Sequence, residues 1–182
     1  MAAMLLLTLR GTPTIYYGDE IGMAQVPIPP ERVHGLGVGR DGCRTPMQWS
    51  SEPHAGFSTV DSWLPLASDW RRENVENQRA DATVLNLYRR LIALRRSSPA
   101  LARGAYQPIA ASGDLLVFIR AEGDERMLVA LNLGGEPVAF ELRDRGLKGR
   151  LLVSSLGDRD GEAVNKTIDL RSHEGAVIGL DR

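Results

Sequence analysis

Residues 40 to 49 bring two arginines, an aspartate, a cysteine and a tryptophan together in the order Arg-Asp-Gly-Cys-Arg-Thr-Pro-Met-Gln-Trp. The segment shows neither the period of an amphipathic helix nor the alternation of a half-buried strand, so it predicts a loop. Loops with such side chains often carry function. The guanidinium of Arg44 could donate paired hydrogen bonds to hydroxyl groups or orient a carboxylate, and Asp41 could accept hydrogen bonds. The same spacing also fits an Arg–Asp pair that braces a turn. Trp49 could stack on a bound ring, although a buried anchor of the loop is the more frequent role.

A second polar segment, Tyr17-Gly18-Asp19-Glu20, ends a short β-rich run over Thr12–Tyr17. This run does not alternate, which predicts a strand buried on both faces. Adjacent residues of an extended segment point to opposite faces, so Asp19 and Glu20 cannot flank one bond as a catalytic pair. The two carboxylates could face an active site, although holding neighbouring loop amides and arginines is the more frequent role.

The composition excludes several classes of partner. A net charge of −1 over 182 residues argues against a nucleic acid or an anionic membrane surface. No run approaches the roughly 18 apolar residues of a membrane span. Cys43 is the only cysteine, which rules out an intramolecular disulfide and suits the cytoplasm. The histidines His34, His54 and His173 are too scattered to indicate a metal site, and no cofactor is indicated.

The first half of the chain predicts two helices separated by a long loop. Met1–Leu9 is apolar and indicates the last turns of a buried helix that ends at Gly11. Residues 18 to 81 have no long regular pattern, but their aromatic content favours an ordered loop.

The second predicted helix covers residues 81 to 96, where apolar residues recur at spacings of three and four. Asp81 is the expected N-cap, and Arg95 and Arg96 are expected on a solvated face at the C-terminal end, where cations favour the helix dipole. Ser97-Ser98-Pro99 should end this helix.

The remaining residues predict an antiparallel β-sandwich, because short apolar runs alternate with turn clusters. The predicted strands are Tyr106–Ile109, Leu115–Arg120, Met127–Leu133, Val138–Leu142, Leu151–Val153, Thr167–Leu170 and Ala176–Leu180.

Several of these segments closely resemble blocks of the α-amylase superfamily of glycoside hydrolases. The nearest likeness is to the α-glucosidases of the oligo-1,6-glucosidase type, followed by the trehalose synthases. The blocks that carry the resemblance are Leu5–Met23, Pro29–Val33, Gly35–Asp41, Arg40–Trp49, Ala55–Ser58, Trp63–Leu66, Asn74–Gln78, Leu85–Arg95 and Pro99–Leu101. In this chain Val33-His34-Gly35 closes a loop that is longer in the family.

The resemblance implies an α/β + β fold class in two domains. Residues 1–97 would be the C-terminal fragment of a catalytic (β/α)8 TIM barrel: the end of helix 7, strand 8, a long loop and helix 8. Residues 98–182 would be the C-terminal antiparallel β-sandwich. Because active sites of such barrels lie at the carboxyl ends of the strands, the substrate-side candidates are Asp41, Arg44, Tyr17, Asp19 and Glu20.

The resemblance also implies that this chain holds no catalytic residue. The family's aspartate nucleophile, glutamate acid/base and supporting aspartate follow barrel strands four, five and seven, which correspond to sequence upstream of Met1. We therefore expect the chain alone to be inactive and its parent enzyme to hydrolyse α-glucosidic bonds of small oligosaccharides with retention. A fragment of a glucosyl-transferring isomerase of the trehalose synthase type is the second interpretation. The third is a non-catalytic β-sandwich module that binds sugar or a protein partner. No oligomeric state is indicated.

Overall fold

The computed structural model describes residues 1–32, 39–80 and 83–181, which form two compact units. One unit combines Met1–Thr14 with Leu87–Arg182, and the other is Ile15–Asn86. The expected N-cap Asp81 and the parts of the blocks Pro29–Val33 and Gly35–Asp41 that fall on residues 33–38 lie outside the described residues. The domain boundary between residues 97 and 98 stays a prediction. Of the residues before this boundary, 1–14 and 87–97 belong to the first compact unit, and 15–86 form the second.

The described helices are α1 (Ala2–Thr8), α2 (Val84–Ser97) and α3 (Pro99–Arg103). Helix α1 confirms the apolar N-terminal helix, but its C-cap is Leu9 in an extended conformation and not Gly11. At the start of α2, Thr83 Oγ1 accepts the N–H of Asn86 at 3.2 Å and so performs the capping role.

The strands are β1 (Ala105–Ser112), β2 (Leu115–Glu122), β3 (Glu125–Asn132), β4 (Val138–Glu141), β5 (Gly149–Ser154), β6 (Ala163–Val164), β7 (Thr167–Leu170) and β8 (Gly175–Leu180). All observed pairings are antiparallel, in a six-stranded sheet of order β1-β2-β3-β8-β5-β6 and a two-stranded sheet of β4 and β7. All seven strands that were predicted after residue 98 are observed. Strand β6 was not predicted, because two residues are too few to show a pattern.

The six-stranded sheet is covered on both faces. One face packs against the helices, in a cluster that includes Met4, Leu7, Leu91, Phe118 and Val129. The opposite face shares a second cluster with the two-stranded sheet, which contributes residues such as Phe140 and Ile168. The central strand β3 is therefore buried from Met127 to Asn132, without the alternation of a half-exposed strand.

Two buried arginines hold the C-terminal end of α1. Arg95 donates to the carbonyl oxygens of Leu7 (2.8 Å) and Leu9 (3.1 Å), and Arg120 donates to those of Thr8 (2.6 Å) and Gly104 (2.9 Å). These bonds satisfy carbonyl groups that the end of a helix leaves without partners. Burial lowers the pKa of both guanidinium groups. The prediction of a solvated Arg95 was wrong, because the side chain turns inward to the carbonyls of α1.

The predicted strand over Thr12–Tyr17 is not observed. These residues have no regular secondary structure, and residues 14–17 are exposed. A strand of a parallel barrel needs a neighbouring strand for its backbone groups, and the described residues supply none to this segment. The expectation that this segment forms strand 8 of a barrel was therefore wrong.

The unit Ile15–Asn86 confirms the long ordered loop, since its described part holds only short 3-10 turns and the first residues of α2. Its apolar core is small and is centred on Ile21, Met47 and Leu85. Buried amides supplement this core. Gln78 donates to the carbonyl oxygen of Ile21 at 2.8 Å and accepts the N–H of Leu85 at 3.2 Å. Specific hydrogen bonds therefore hold a segment that has few apolar side chains to bury.

Candidate functional site

A cavity of about 550 Å³ opens within the unit Ile15–Asn86. Aromatic and aliphatic side chains form most of its wall, and a few polar groups interrupt them. The lining residues are Tyr17, Glu20, Arg44, Thr45, Pro46, Met47, Trp49, Phe57, Ser62, Trp63 and Leu64. This composition is typical of small-molecule sites, in which a few polar groups orient a ligand against an apolar surface.

Three of the five predicted substrate-side residues line this cavity: Tyr17, Glu20 and Arg44. The Tyr17 hydroxyl donates to the carbonyl oxygen of Thr45 at 3.0 Å, and the Glu20 carboxylate accepts the N–H of Gly18 at 2.8 Å. Burial raises the pKa of the Tyr17 phenol, and the neighbouring Tyr16 adds to this effect. Tyr17 is therefore a neutral hydrogen-bonding group near pH 7.

The other two candidates lie outside the cavity. Asp19 accepts the N–H of Tyr16 at 3.1 Å and lines a small neighbouring cavity of about 50 Å³. Asp41 begins a 3-10 turn, Asp41–Cys43, beside residues 25–28. Asp19 and Glu20 thus diverge, and each accepts a loop amide.

Arg44 and Asp41 do not brace each other through their side chains in the described structure. The turn that joins them is held instead by its backbone, with the N–H of Arg44 donating to the carbonyl oxygen of Asp41 at 3.0 Å. Arg44 is exposed and lines the cavity. Arg44 can therefore donate several hydrogen bonds to a ligand in the cavity.

The most prominent cavity residues that sequence reasoning missed are the aromatics Phe57 and Trp63. Phe57, Trp63 and Trp49 are 51%, 58% and 50% exposed, respectively. The expectation that Trp49 is a buried anchor was wrong, and Trp70, at 9% exposure, has that role. The available signal was the presence of large aromatics in a loop rich in Gly, Pro and Ser, where neither helix nor strand periodicity accounts for them.

Groups that could hold a metal ion and helices that could span a membrane were sought among the described residues. Within residues 1–32, 39–80 and 83–181, no group of three or more His, Cys, Asp and Glu side chains is arranged to hold a metal ion. None of the helices in those ranges combines the length and the apolar character that a membrane crossing requires.

A comparison with known protein families shows to which family the chain belongs. The model of the α-amylase catalytic domain matches residues 1–104, which is more than half of the sequence. The chain belongs to the α-amylase family. The cavity and its polar residues Tyr17, Glu20 and Arg44 thus lie within the segment of this α-amylase family member that matches the catalytic domain.

Curated relatives of this α-amylase family member have related names. A probable alpha-glucosidase of Rhizobium meliloti is 38% identical over 88% of the chain. A trehalose synthase/amylase TreS of Mycobacterium tuberculosis is 40% identical over 76%, and an oligo-1,6-glucosidase of Bacillus cereus is 30% identical over 99%. The chain spans only 31%, 24% and 37% of the lengths of these three relatives.

Solved structures of the family show a similar fold. An isomaltulose synthase from Klebsiella sp. LX3 matches 99% of the chain with a TM-score of 0.90 and 26% identity. The trehalulose synthase MutB from Pseudomonas mesoacidophila MX-45 matches 99% with a TM-score of 0.87 and 27% identity. The chain covers 37% of each of these structures.

Proposed function

We propose that this chain corresponds to the C-terminal part of a retaining α-glucosidase that acts on α-glucosidic bonds of small oligosaccharides. The observation that carries the proposal is the cavity in which Tyr17, Glu20 and Arg44 share a wall with exposed aromatic side chains. Hydroxyl-rich ligands need charged or neutral hydrogen-bonding groups of this kind. The 38% identity to a probable alpha-glucosidase supports the choice of substrate class.

Within this proposal the chain contributes to substrate binding and not to bond cleavage. Retaining hydrolysis needs two carboxyl groups about 5–5.5 Å apart, one as nucleophile and one as acid/base. Glu20 is the carboxylate among the described residues that line the cavity, and its position is set by the N–H of Gly18. One carboxylate cannot perform both roles, so the isolated chain should be inactive.

Glucosyl transfer of the trehalose synthase type is the second candidate. The identity to TreS, 40%, is as high as that to the probable alpha-glucosidase, although it covers 76% rather than 88% of the chain. The product from maltose distinguishes the two reactions, since hydrolysis yields glucose and isomerisation yields trehalose.

The test is a chimera in which this chain replaces the matching segment of the Rhizobium meliloti relative. We expect the folded chimera to release glucose from maltose or isomaltose, whereas the isolated chain shows no turnover above the buffer rate. Trehalose as the main product from maltose would favour the second candidate. Turnover that co-purifies with the isolated chain, or a folded chimera that is inactive on both sugars, would overturn the proposal.

A further inference from the structure

We propose that Trp49, Phe57 and Trp63, called here the aromatic wall, form a stacking subsite for a pyranose ring. The inference rests on the proposed function, because it assigns to the same cavity a ring-binding surface and names the residues that form it. Trp49 and Trp63 would be the principal contacts, since indole rings offer the largest flat surfaces.

The aromatic wall is more exposed than large apolar side chains usually are. All three side chains are at least half exposed, yet they line one cavity of about 550 Å³. Scattered exposed apolar residues need no explanation, but a contiguous apolar surface marks a binding site. One face of a pyranose ring presents C–H groups with partial positive charge, which match the electron-rich face of an aromatic ring.

Polar groups line the same cavity as the aromatic wall. Glu20 supplies a carboxylate acceptor and Arg44 supplies guanidinium donors, so hydroxyl groups at the ring edge find both kinds of partner. Ser62 Oγ donates to the carbonyl oxygen of Leu64 at 2.6 Å, which leaves its lone pairs available to accept. A purely apolar ligand would leave these charged and polar groups unmatched.

A turn of left-handed residues is hydrogen-bonded to two residues of the aromatic wall. His54, Ala55 and Gly56 all have left-handed backbone conformations, with φ of 55°, 57° and 63°. The carbonyl oxygen of Ala55 accepts the N–H groups of Trp49 (2.9 Å) and Ser50 (3.1 Å). The N–H of Phe57 donates to the carbonyl oxygen of His54 at 3.0 Å.

Left-handed non-glycine residues persist only where the surroundings determine them, and they cluster at functional sites. In this turn backbone hydrogen bonds join Trp49 to Ala55 and Phe57 to His54, and both aromatic residues line the cavity. Gly56 is also tightly packed, since a Cβ added there would lie 2.7 Å from Ser50 Oγ. Gly56 therefore acts as a positioning residue for the aromatic wall.

The test titrates the chain with isomaltose and with maltose, following binding by calorimetry and by tryptophan fluorescence. We expect saturable binding of at least one disaccharide, weakened about tenfold or more by Trp63→Ala or Trp49→Ala. Trp63→Phe keeps a ring and should retain most of the affinity. Trp70→Phe is the matched control, because Trp70 is buried and lies outside the cavity lining. The Trp70→Phe variant should bind the disaccharide with unchanged affinity. Gly56→Ala should weaken binding with near-normal circular dichroism.

Two results would overturn the inference: no saturable binding by the folded chain, or Trp63→Ala and Trp49→Ala variants that bind as the unchanged chain does. The chimera with the Rhizobium meliloti relative distinguishes a failure of this inference from a failure of the proposed function. If the chimera hydrolyses maltose and Trp63→Ala leaves its KM unaltered, the function stands and the stacking subsite is wrong. If the chain binds disaccharide through these tryptophans but the chimera is inactive, the subsite stands without the proposed reaction.

Discussion

The sheet-containing unit and the unit Ile15–Asn86 are stabilised in different ways. The sheet buries apolar side chains on both faces, with residues such as Phe118, Leu128 and Val129 fully inaccessible. The loop unit has a small apolar core and relies on buried amides and left-handed turns. Apolar burial on both faces of the sheet stabilises the first unit. Hydrogen bonds supplement a small core in the second unit and leave large aromatic side chains exposed.

The largest expected effect concerns the helices that cover the sheet. An isolated fragment 98–182 would expose the face on which Met4, Leu7 and Leu91 pack. Each buried apolar side chain contributes about 1.5–3 kcal/mol, and a domain's whole stability is only about 5–15 kcal/mol. We expect this fragment to show no cooperative thermal unfolding. Its control joins residues 1–14 to 87–182 by a long glycine-rich linker and should unfold cooperatively. Cooperative melting of 98–182 alone would show that the sheet needs no helical cover.

Arg120→Ala should give the next largest effect. The fully buried side chain donates to the carbonyl oxygens of Thr8 and Gly104, and its removal leaves both acceptors unsatisfied beside a cavity. We expect a loss of about 3 kcal/mol or more in the free energy of unfolding, measured in urea. The control is Arg96→Ala, an exposed position, where a change below about 0.5 kcal/mol is expected. Equal losses of stability in the two variants would show that the buried hydrogen bonds of Arg120 do not stabilise this unit.

The sheet was more predictable than the loop unit for a physical reason. Strand side chains follow a pattern along the chain that reports directly on burial, so all strands except the two-residue β6 were predicted. In the loop unit, positions depend on hydrogen bonds between distant residues, such as Gln78 to Ile21, which are 57 positions apart. No local pattern reports such a bond.

The candidate site was partly predictable for the same reason. Tyr17, Glu20 and Arg44 could be proposed from residue type and position, and they line the cavity. Phe57 and Trp63 could not be assigned to it, because their placement follows from turns such as His54–Gly56. Arg120 was missed because an arginine within a strand gives no sequence signal of burial.

The loss of folding stability at low pH depends on one buried carboxylate of the sheet-containing unit, Glu174. Burial by itself would raise the pKa of the Glu174 carboxyl, but hydrogen bonds from Arg171 and Ser154 lower it overall below its ordinary 4.5. A lowered folded-state pKa stabilises the fold above the ordinary pKa of the carboxyl, and this stability is lost as the pH falls through the folded-state value.

We expect Glu174→Gln to cost roughly 2–3 kcal/mol at pH 7 and to flatten the loss of stability between pH 7 and acid. The partner of this experiment is Glu162→Gln, since Glu162 is exposed and paired with Arg159, so water and salt weaken its contribution. Urea unfolding at several pH values measures both. If the free energy of unfolding of the Glu174→Gln variant falls at low pH as steeply as that of the unchanged chain, protonation of Glu174 is not the cause of that loss.

The smallest effect compares one substitution in the two units. Ala55 has a left-handed φ of 57°, so Ala55→Gly should relieve backbone strain and, after the loss of one buried methyl group, leave stability equal or higher by up to about 1 kcal/mol. Ala130 lies fully buried in β3, where glycine gains nothing from its conformational freedom. Ala130→Gly should therefore cost about 1 kcal/mol or more. Thermal unfolding of both variants tests the difference. Destabilisation of similar size at both positions would mean that the turn at Ala55 is relaxed, so that backbone strain plays no part in holding the aromatic wall.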